Sequence, residues 1–297
     1  VGDELRFDGR IAVITGAGRG LGRAYAQLLA AHGAAVVVND LGSSMEGDGA
    51  DAAPADAVVG EIEAAGGVAL ADAHDVSTGE GAGALVHAAL QRFGRIDAVI
   101  ANAGIMRWAR FPDVPAEDLE AHLAVHTLGS FHLAAAAWPH LVAQGHGRIV
   151  LTFSTGMLGL PGNTAYAMAK GGVLGLMRSL ALAGRKHGVV ANCIAPAAST
   201  RMAGEGGPDL PPEQVAPMVA YLAHESCTAN GEVYTAGGGR FARLYLGATP
   251  GVVLPAATPE DIAAHLDAIG DPAGATVPRD LLEWSATFLS HLEVDPG

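Results

Sequence analysis

Lysine is nearly absent from this chain. Of 297 residues only Lys170 and Lys186 are lysines, and 31 acidic residues face 17 basic ones, for a formal charge of -14. Such an acid excess argues against nucleic acid or an anionic membrane surface as a partner, because both need clustered cations. Cysteine is equally scarce: Cys193 and Cys227 supply neither a disulfide framework nor a zinc-binding spacing. No apolar run is long enough to span a bilayer, and residues 1–8 are mixed and charged rather than signal-like, so a reducing, cytoplasmic setting is expected. Aromatic residues make up only 5%, whereas half the chain is hydrophobic and 41 residues are glycine. That balance suits a large core of small side chains packed closely between helices and a sheet.

Short apolar runs alternate with helical stretches. Residues 10–15, 34–39, 68–71, 97–101, 147–153 and 189–194 each read as a buried strand, because the runs are brief and end in glycine or polar residues, and 232–235, followed by Gly237-Gly238-Gly239, reads as the last strand and its turn. Helices are expected over 24–31, 57–65, 81–93, 116–141, 164–186 and 212–225, the fourth interrupted at Gly129 and Pro139. Residues 41–56 read as an exposed loop. This alternation predicts an α/β chain with one doubly wound parallel sheet, a Rossmann fold. Ligands of such sheets bind outside the strand carboxyl ends. The turn from Gly16 to Gly22, Asp40, Asp75, Asn102, Ser154 and Pro196 all fall there.

Two of these features point to a dinucleotide. Gly16-Ala17-Gly18-Arg19-Gly20-Leu21-Gly22 joins the first strand to a helix, so backbone N–H groups can approach a pyrophosphate. Asp40 closes the second strand and can accept hydrogen bonds from ribose hydroxyls. A 2′-phosphate ~4 Å from that carboxylate would cost about 4 kcal/mol at an effective dielectric of about 20, so NAD is expected over NADP.

Tyr166 and Lys170 stand one helical turn apart on the helix after the fifth strand. A phenol titrates near ~10 alone; an adjacent ammonium would stabilise the phenolate and make the tyrosine a workable proton donor and acceptor. In a chain that otherwise uses arginine, a lysine here suggests a point charge. His122, His126, His132 and His140 share the fourth helix, but no acidic or cysteine partner clusters with them, and no metal site is expected.

The residues Thr15 to Gly22, Asn102-Ala103-Gly104, Ser154 and Tyr166-xxx-Lys170 together resemble the short-chain dehydrogenase/reductase family over about residues 8–240. Val38-Asn39-Asp40-Leu41-Gly42, Phe93-Gly94-Arg95-Ile96-Asp97, Ile194-Ala195-Pro196, Ser199-Thr200-Arg201-Met202 and His224-Glu225-Ser226-Cys227 narrow the likeness. They are similar to the (3R)-hydroxyacyl-CoA dehydrogenase unit of peroxisomal type 2 multifunctional enzymes. The resemblance implies an NAD-dependent oxidoreductase that interconverts a secondary alcohol and a ketone, with a (3R)-hydroxyacyl-CoA or steroid-type substrate. Tyr166 would donate and accept the proton, Lys170 would lower its pKa and bind the nicotinamide ribose, and Ser154 would hydrogen-bond the substrate oxygen. Gly16, Arg19, Gly20, Leu21 and Gly22 would hold the pyrophosphate, Asp40 the adenine ribose, and Asp75 and Val76 the adenine. Asn102, Ala103, Gly104 and Pro196 would complete the cofactor set.

Two positions depart from the family pattern. Counted back from the tyrosine, the serine position holds Phe153; counted along the strand from Gly147-Arg148, it holds Ser154. His126 stands where an asparagine is usual, with a proton relay, a helix cap or a core histidine as its readings.

Residues 1–242 are expected to form the dehydrogenase domain and 243–297 an extension. Ile262, Leu266, Leu281, Leu282, Trp284, Phe288 and Leu289 predict extension helices packed on the chain's own core or on a partner subunit. A homodimer or homotetramer is implied by the family, and the closing Asp295-Pro296-Gly297 is not a peroxisomal address. The loop at 203–212 is expected to shape substrate access, and Arg107, Arg110, Arg201 and Arg243 to offer a local patch for an anionic thioester. Two other readings stay open: a dehydrogenase of another small secondary alcohol, and a catalytically degraded nucleotide-binding scaffold.

Overall fold

A computed structural model of the chain describes residues 4–159, 161–199 and 210–292. At its centre β1 (Ile11–Thr15) pairs in parallel with β2 (Ala35–Asn39) on one side and β4 (Ala98–Ala101) on the other. The sheet continues through β3 (Val68–Asp72), β5 (Gly147–Thr152), β6 (Val189–Pro196), β7 (Val233–Gly237) and β8 (Arg240–Leu244), in the order β3-β2-β1-β4-β5-β6-β7-β8. Strands β1 to β7 pair in parallel. Every residue of β1, β4 and β5 is buried, as continuous Val/Ile/Leu/Ala runs require when helices cover both faces. The strand order reverses between β1 and β4, which opens a crevice at their carboxyl ends.

The doubly wound parallel sheet is therefore as expected, with one strand added. After β7 the chain turns through Gly237, Gly238 and Gly239, all at positive φ, and returns as β8.

Three helix readings change. Helix α1 (Gly20–Ala31) is followed by α2 (Ala53–Ala64), which begins before residue 57 because Pro54 in its first turn presets a helical φ. The exposed loop ends correspondingly earlier. Helix α3 (Gly79–Phe93) is capped by Thr78, whose hydroxyl accepts from Gly81 N at 3.0 Å. The fourth helix does not break at Gly129 or Pro139. It runs as α4 (Ala116–His122), a π-helical turn (Leu123–Leu128) and α5 (Gly129–Gln144), with Pro139 exposed inside α5. Helix α6 (Thr164–Gly184) carries the tyrosine and lysine. The helix expected over 212–225 is a short 3₁₀ turn (Pro212–Gln214) followed by α7 (Ala216–Ala223).

At the amino ends of the strands, away from the crevice, buried charges tie elements together. Arg148 donates to the carbonyls of His224 (3.0 Å), Glu225 (2.7 Å) and Gly147 (3.0 Å). Asp97 accepts from Arg10, Arg95 and the Ile11 amide.

The chain divides into two compact units, Val1–Arg243 and Leu244–Gly297. Within the second, α8 (Pro259–Gly270) opens on a Thr258–Asp261 capping box, and α9 (Leu281–Phe288) stacks Trp284 on Phe288 at 4.8 Å. Neither helix buries a residue, and Leu281, Leu282 and Leu266 are more than half exposed. Among the described residues no helix is long and apolar enough to cross a membrane.

Candidate active site

A cleft of about 880 Å³ opens at the carboxyl ends of the strands. Its walls include Gly16, Arg19, Gly20, Leu21, Asp40, Asp75, Val76, Asn102, Ala103, Gly104, Ser154, Tyr166, Lys170 and Pro196, which are all the expected site residues except Gly22.

The glycine turn leaves no room for side chains. A Cβ on Gly16, whose φ is 63°, would lie 2.8 Å from Ala103 Cα, and one on Gly18 would lie 2.7 Å from Pro54 Cβ and 2.8 Å from Asp40 Oδ2. Gly22 serves packing instead, since its Cβ would fall 2.2 Å from the Gly16 carbonyl oxygen and only glycine lets α1 press against the turn. Helix α1 starts with no side-chain cap and no acid in its first turn, which leaves its positive end to the cleft. Asp40 takes Gly18 N (2.8 Å) on one oxygen and Gly42 N (2.7 Å) on the other, so its carboxylate is fixed beside the turn. Arg19 donates to the Ser43 carbonyl at 3.2 Å. Asn102 staples β4 to the turn, its amide side chain donating to the carbonyls of Thr15 and Gly16 at 3.0 Å each. These residues fit a dinucleotide cradle, with amides at one end and a charged acceptor at the other.

On the opposite wall Asn163 caps α6 by accepting from Tyr166 N at 3.1 Å, which puts Tyr166 in the first turn and on the cleft. Lys170, one turn on, is 3% exposed and donates to the Thr152 carbonyl at 2.7 Å. Its ammonium lies 5.7 Å from the Tyr166 ring centroid. Burial lowers Lys170 to about 7. Burial raises Tyr166, opposed by a hydrogen bond with Ser154. The expected lowering of Tyr166 by Lys170 is thus not what this arrangement gives, because the ammonium turns to a backbone carbonyl and both groups are desolvated. Ser154 follows the end of β5 and accepts from Gly156 N at 3.0 Å, while Phe153 is 1% exposed and lies in the core. Counting along the strand is therefore the count that reaches the cleft.

Residues 10–209 match the short chain dehydrogenase family. The chain belongs to that family. A short-chain type dehydrogenase/reductase of Mycobacterium tuberculosis is 44% identical over 275 residues, 90% of this chain and 96% of that protein. The peroxisomal multifunctional enzyme type 2 of Mus musculus is 43% identical over 289 residues, 94% of this chain but 39% of the mouse protein. The solved full-length peroxisomal multifunctional enzyme type 2 of Drosophila melanogaster superposes with a TM-score of 0.82 at 34% identity, covering 97% of this chain and 50% of that one. This chain therefore spans about half or less of the multifunctional relatives. As a short-chain dehydrogenase it is an oxidoreductase of CH–OH groups.

Several residues take part in this dehydrogenase cleft beyond the expected site residues. Thr15 Oγ1 accepts from Asn102 N (3.0 Å) and Ala103 N (3.1 Å), joining β1 to the small-residue turn. Beside Asp75 and Val76, His74 is held by buried Asp72 at 2.7 Å, and Asn39 bridges Asp72 (2.6 Å) and the His74 carbonyl (2.9 Å). Ile105, Met106, Ala198 and Trp108, which is 55% exposed, add apolar surface to the lining. A strand-to-turn alternation gives no sign of the roles of Thr15 and Asn39, since each acts through a partner remote in sequence.

Of the proposed cationic patch, Arg107 is occupied by Asp118 (3.2 Å), Asp48 (3.6 Å) and the Glu46 carbonyl, and Arg243 by Glu232 at 2.6 Å. Arg110 is exposed. Arg201, the motif from Thr200 to Met202 and the loop at 203–209 lie outside the described residues.

Proposed function

We propose that this chain is an NAD-dependent dehydrogenase of a secondary alcohol with a large apolar body, a (3R)-hydroxyacyl-CoA or a steroid-type alcohol. The observation that carries the reading is the meeting of Ser154, Tyr166 and Lys170 with the glycine turn and Asp40 in one cleft. The apolar side chains of Met106, Trp108 and Ala198 in the lining support a large, water-poor substrate, and the fixed carboxylate of Asp40 supports NAD over its 2′-phosphorylated form.

The nicotinamide cofactor supplies the hydride acceptor for the alcohol carbon. Ser154 and Tyr166 would hold the substrate oxygen from one side. Tyr166, as its phenolate once bound polar groups and Lys170 share its charge, would take the hydroxyl proton as hydride leaves the carbon, which becomes a carbonyl. Lys170 supplies positive charge one turn behind, in a setting dry enough for a single charge to count. The helix start and Asp40 grip the cofactor's phosphate and ribose ends, so that orientation is the protein's larger contribution. Leu128, Phe131, Met168 and Leu182 are roughly half exposed on the outer faces of the π turn, α5 and α6, which supports pairing of these faces in a homo-oligomer.

The test is initial-rate NADH formation with NAD against NADP, using a (3R)-3-hydroxyacyl-CoA, a 17β-hydroxysteroid and simple secondary alcohols, with Tyr166→Phe and Ser154→Ala alongside. Turnover of the thioester or steroid with NAD, lost in both variants, is the expected result. Turnover of small alcohols alone would overturn the substrate class, and NAD binding without any turnover would overturn the enzyme reading.

A further inference from the structure

His126 has no role in the chemistry assigned above, yet it forms the back of the cleft. It lies in the π-helical turn, 1% exposed. Its Nε2 stands 2.9 Å from the Ile105 carbonyl oxygen and 3.3 Å from the Ile105 amide nitrogen, and its Nδ1 has no partner among the described residues. His122 stacks behind it, ring centroids 5.8 Å apart and 17° from parallel. The His122 Nδ1–H donates to the Asp118 carbonyl at 2.7 Å, and its Nε2 accepts from Arg107 N at 3.2 Å. Two imidazoles thus grip the backbone at Ile105 and at Arg107, the segment that leads from β4 along the cleft. In front, the His126 ring meets the Tyr166 ring edge to face at 5.2 Å and 89°. It also fills the space at Gly104, where a Cβ would lie 2.6 Å from His126 Cε1. The π turn sits where such turns commonly occur, at the site itself.

We propose that His126 is a positioning residue for Tyr166: its imidazole locks the Gly104–Ile105 corner and the tyrosine ring into one fixed relation, with His122 backing it through Arg107. This role rests on the assignment of proton handling to Tyr166.

The surroundings keep the ring neutral. Burial, Lys170 and His122 all push its pKa well below the ordinary histidine range. The Nε2–H then donates to the Ile105 carbonyl, and Nδ1 carries a bare lone pair, a lesser penalty than an orphaned N–H. A relay would need exchangeable partners on both nitrogens. Nε2 faces only the peptide groups of Ile105, which do not pass a proton, so the ring orients rather than conducts.

The experiment compares kcat, KM, the pH profile of kcat and NAD affinity for wild type, His126→Phe and His126→Asn, with a long-range ¹H–¹⁵N spectrum of the wild type. His126→Phe should lose about tenfold to a hundredfold in kcat, and His126→Asn, whose amide can still reach Ile105 but not face Tyr166, a smaller part of that. KM and NAD affinity should stay within about threefold in both, because misorientation is felt in the transition state alone. The acid limb of the profile should stay in place, and the spectrum should show a neutral Nε2–H tautomer for His126 from about pH 6 to about pH 9. A His126→Phe enzyme within about twofold of wild type, or an imidazolium signal with a displaced acid limb, would overturn the positioning role. Should a variant fail to bind NAD, the wild-type spectrum still decides between a fixed neutral ring and a titrating relay. Lack of any turnover in the wild type overturns the dehydrogenase reading and this role with it, whereas normal variants of an active wild type overturn this role alone.

Discussion

Replacing Lys170 by methionine should leave the protein inactive and more stable at pH 6, a combination that follows from where the side chain lies. The ammonium is almost fully enclosed, and burial brings its pKa from 10.5 to about 7. Between those two values the unfolded chain holds the proton that the folded chain has released, so folding stability rises with pH across that window. Below pH 7 both states are protonated, and the folded state carries the whole desolvation penalty. A gap of about 3.5 pH units at ~1.36 kcal/mol per unit is about 5 kcal/mol. Methionine has a similar length and does not titrate, but it strands the Thr152 carbonyl that Lys170 reaches at 2.7 Å, a loss of about 1–3 kcal/mol. The variant should therefore gain about 2–4 kcal/mol at pH 6 and fall below wild type above a crossing point near pH 8.5–10. Urea unfolding of both proteins at several pH values measures this, and subtracting the two curves cancels every other titrating group. A flat difference curve, or a variant less stable than wild type at pH 6, would refute the reasoning. A lysine retained against such a penalty in a chain with only one other is retained for its chemistry.

Three shorter predictions come from other parts of the molecule. Asp40→Ala removes the fixed carboxylate beside the glycine turn; the NAD-to-NADP ratio of kcat/KM should fall by about tenfold to a hundredfold, and an unchanged ratio would remove Asp40 from cofactor choice. Arg148→Met leaves the carbonyls of His224 and Glu225 without their donor, and the urea midpoint should drop by an amount equal to about 3 kcal/mol with no change in cofactor preference. Gly22→Ala drives a methyl group to 2.2 Å from the Gly16 carbonyl, so thermal stability should fall by about 1–3 kcal/mol and NAD affinity with it, read by calorimetry and by titration.

What could be seen in the residues and what could not divides along a physical line. Alternating buried runs and glycine-ended strands announce a parallel sheet because the periodicity is local, and Asp40, Asn102 and Ser154 reach the cleft because each simply ends a strand. Pro54 is itself a local signal of a helix start, since a first-turn proline is favourable, and α2 begins there although the surrounding composition is that of a loop. The grips of His122 on Arg107 and of His126 on Ile105 span 15 and 21 residues, and no spacing rule brings those partners together. Environment was the other hidden quantity. Tyr166 and Lys170 at i and i+4 say that a phenol and an ammonium are neighbours, and in water that alone would favour the phenolate. Inside this wall the ammonium bonds to the Thr152 carbonyl, and burial moves the phenol up and the amine down. Each shift disfavours its own charged form, so the pair becomes chemically useful only when something polar enters the cleft and shares the charge. A cofactor ribose and a substrate oxygen are groups of that kind, which is why the glycine turn, Asp40 and the tyrosine have to be read as one site rather than three.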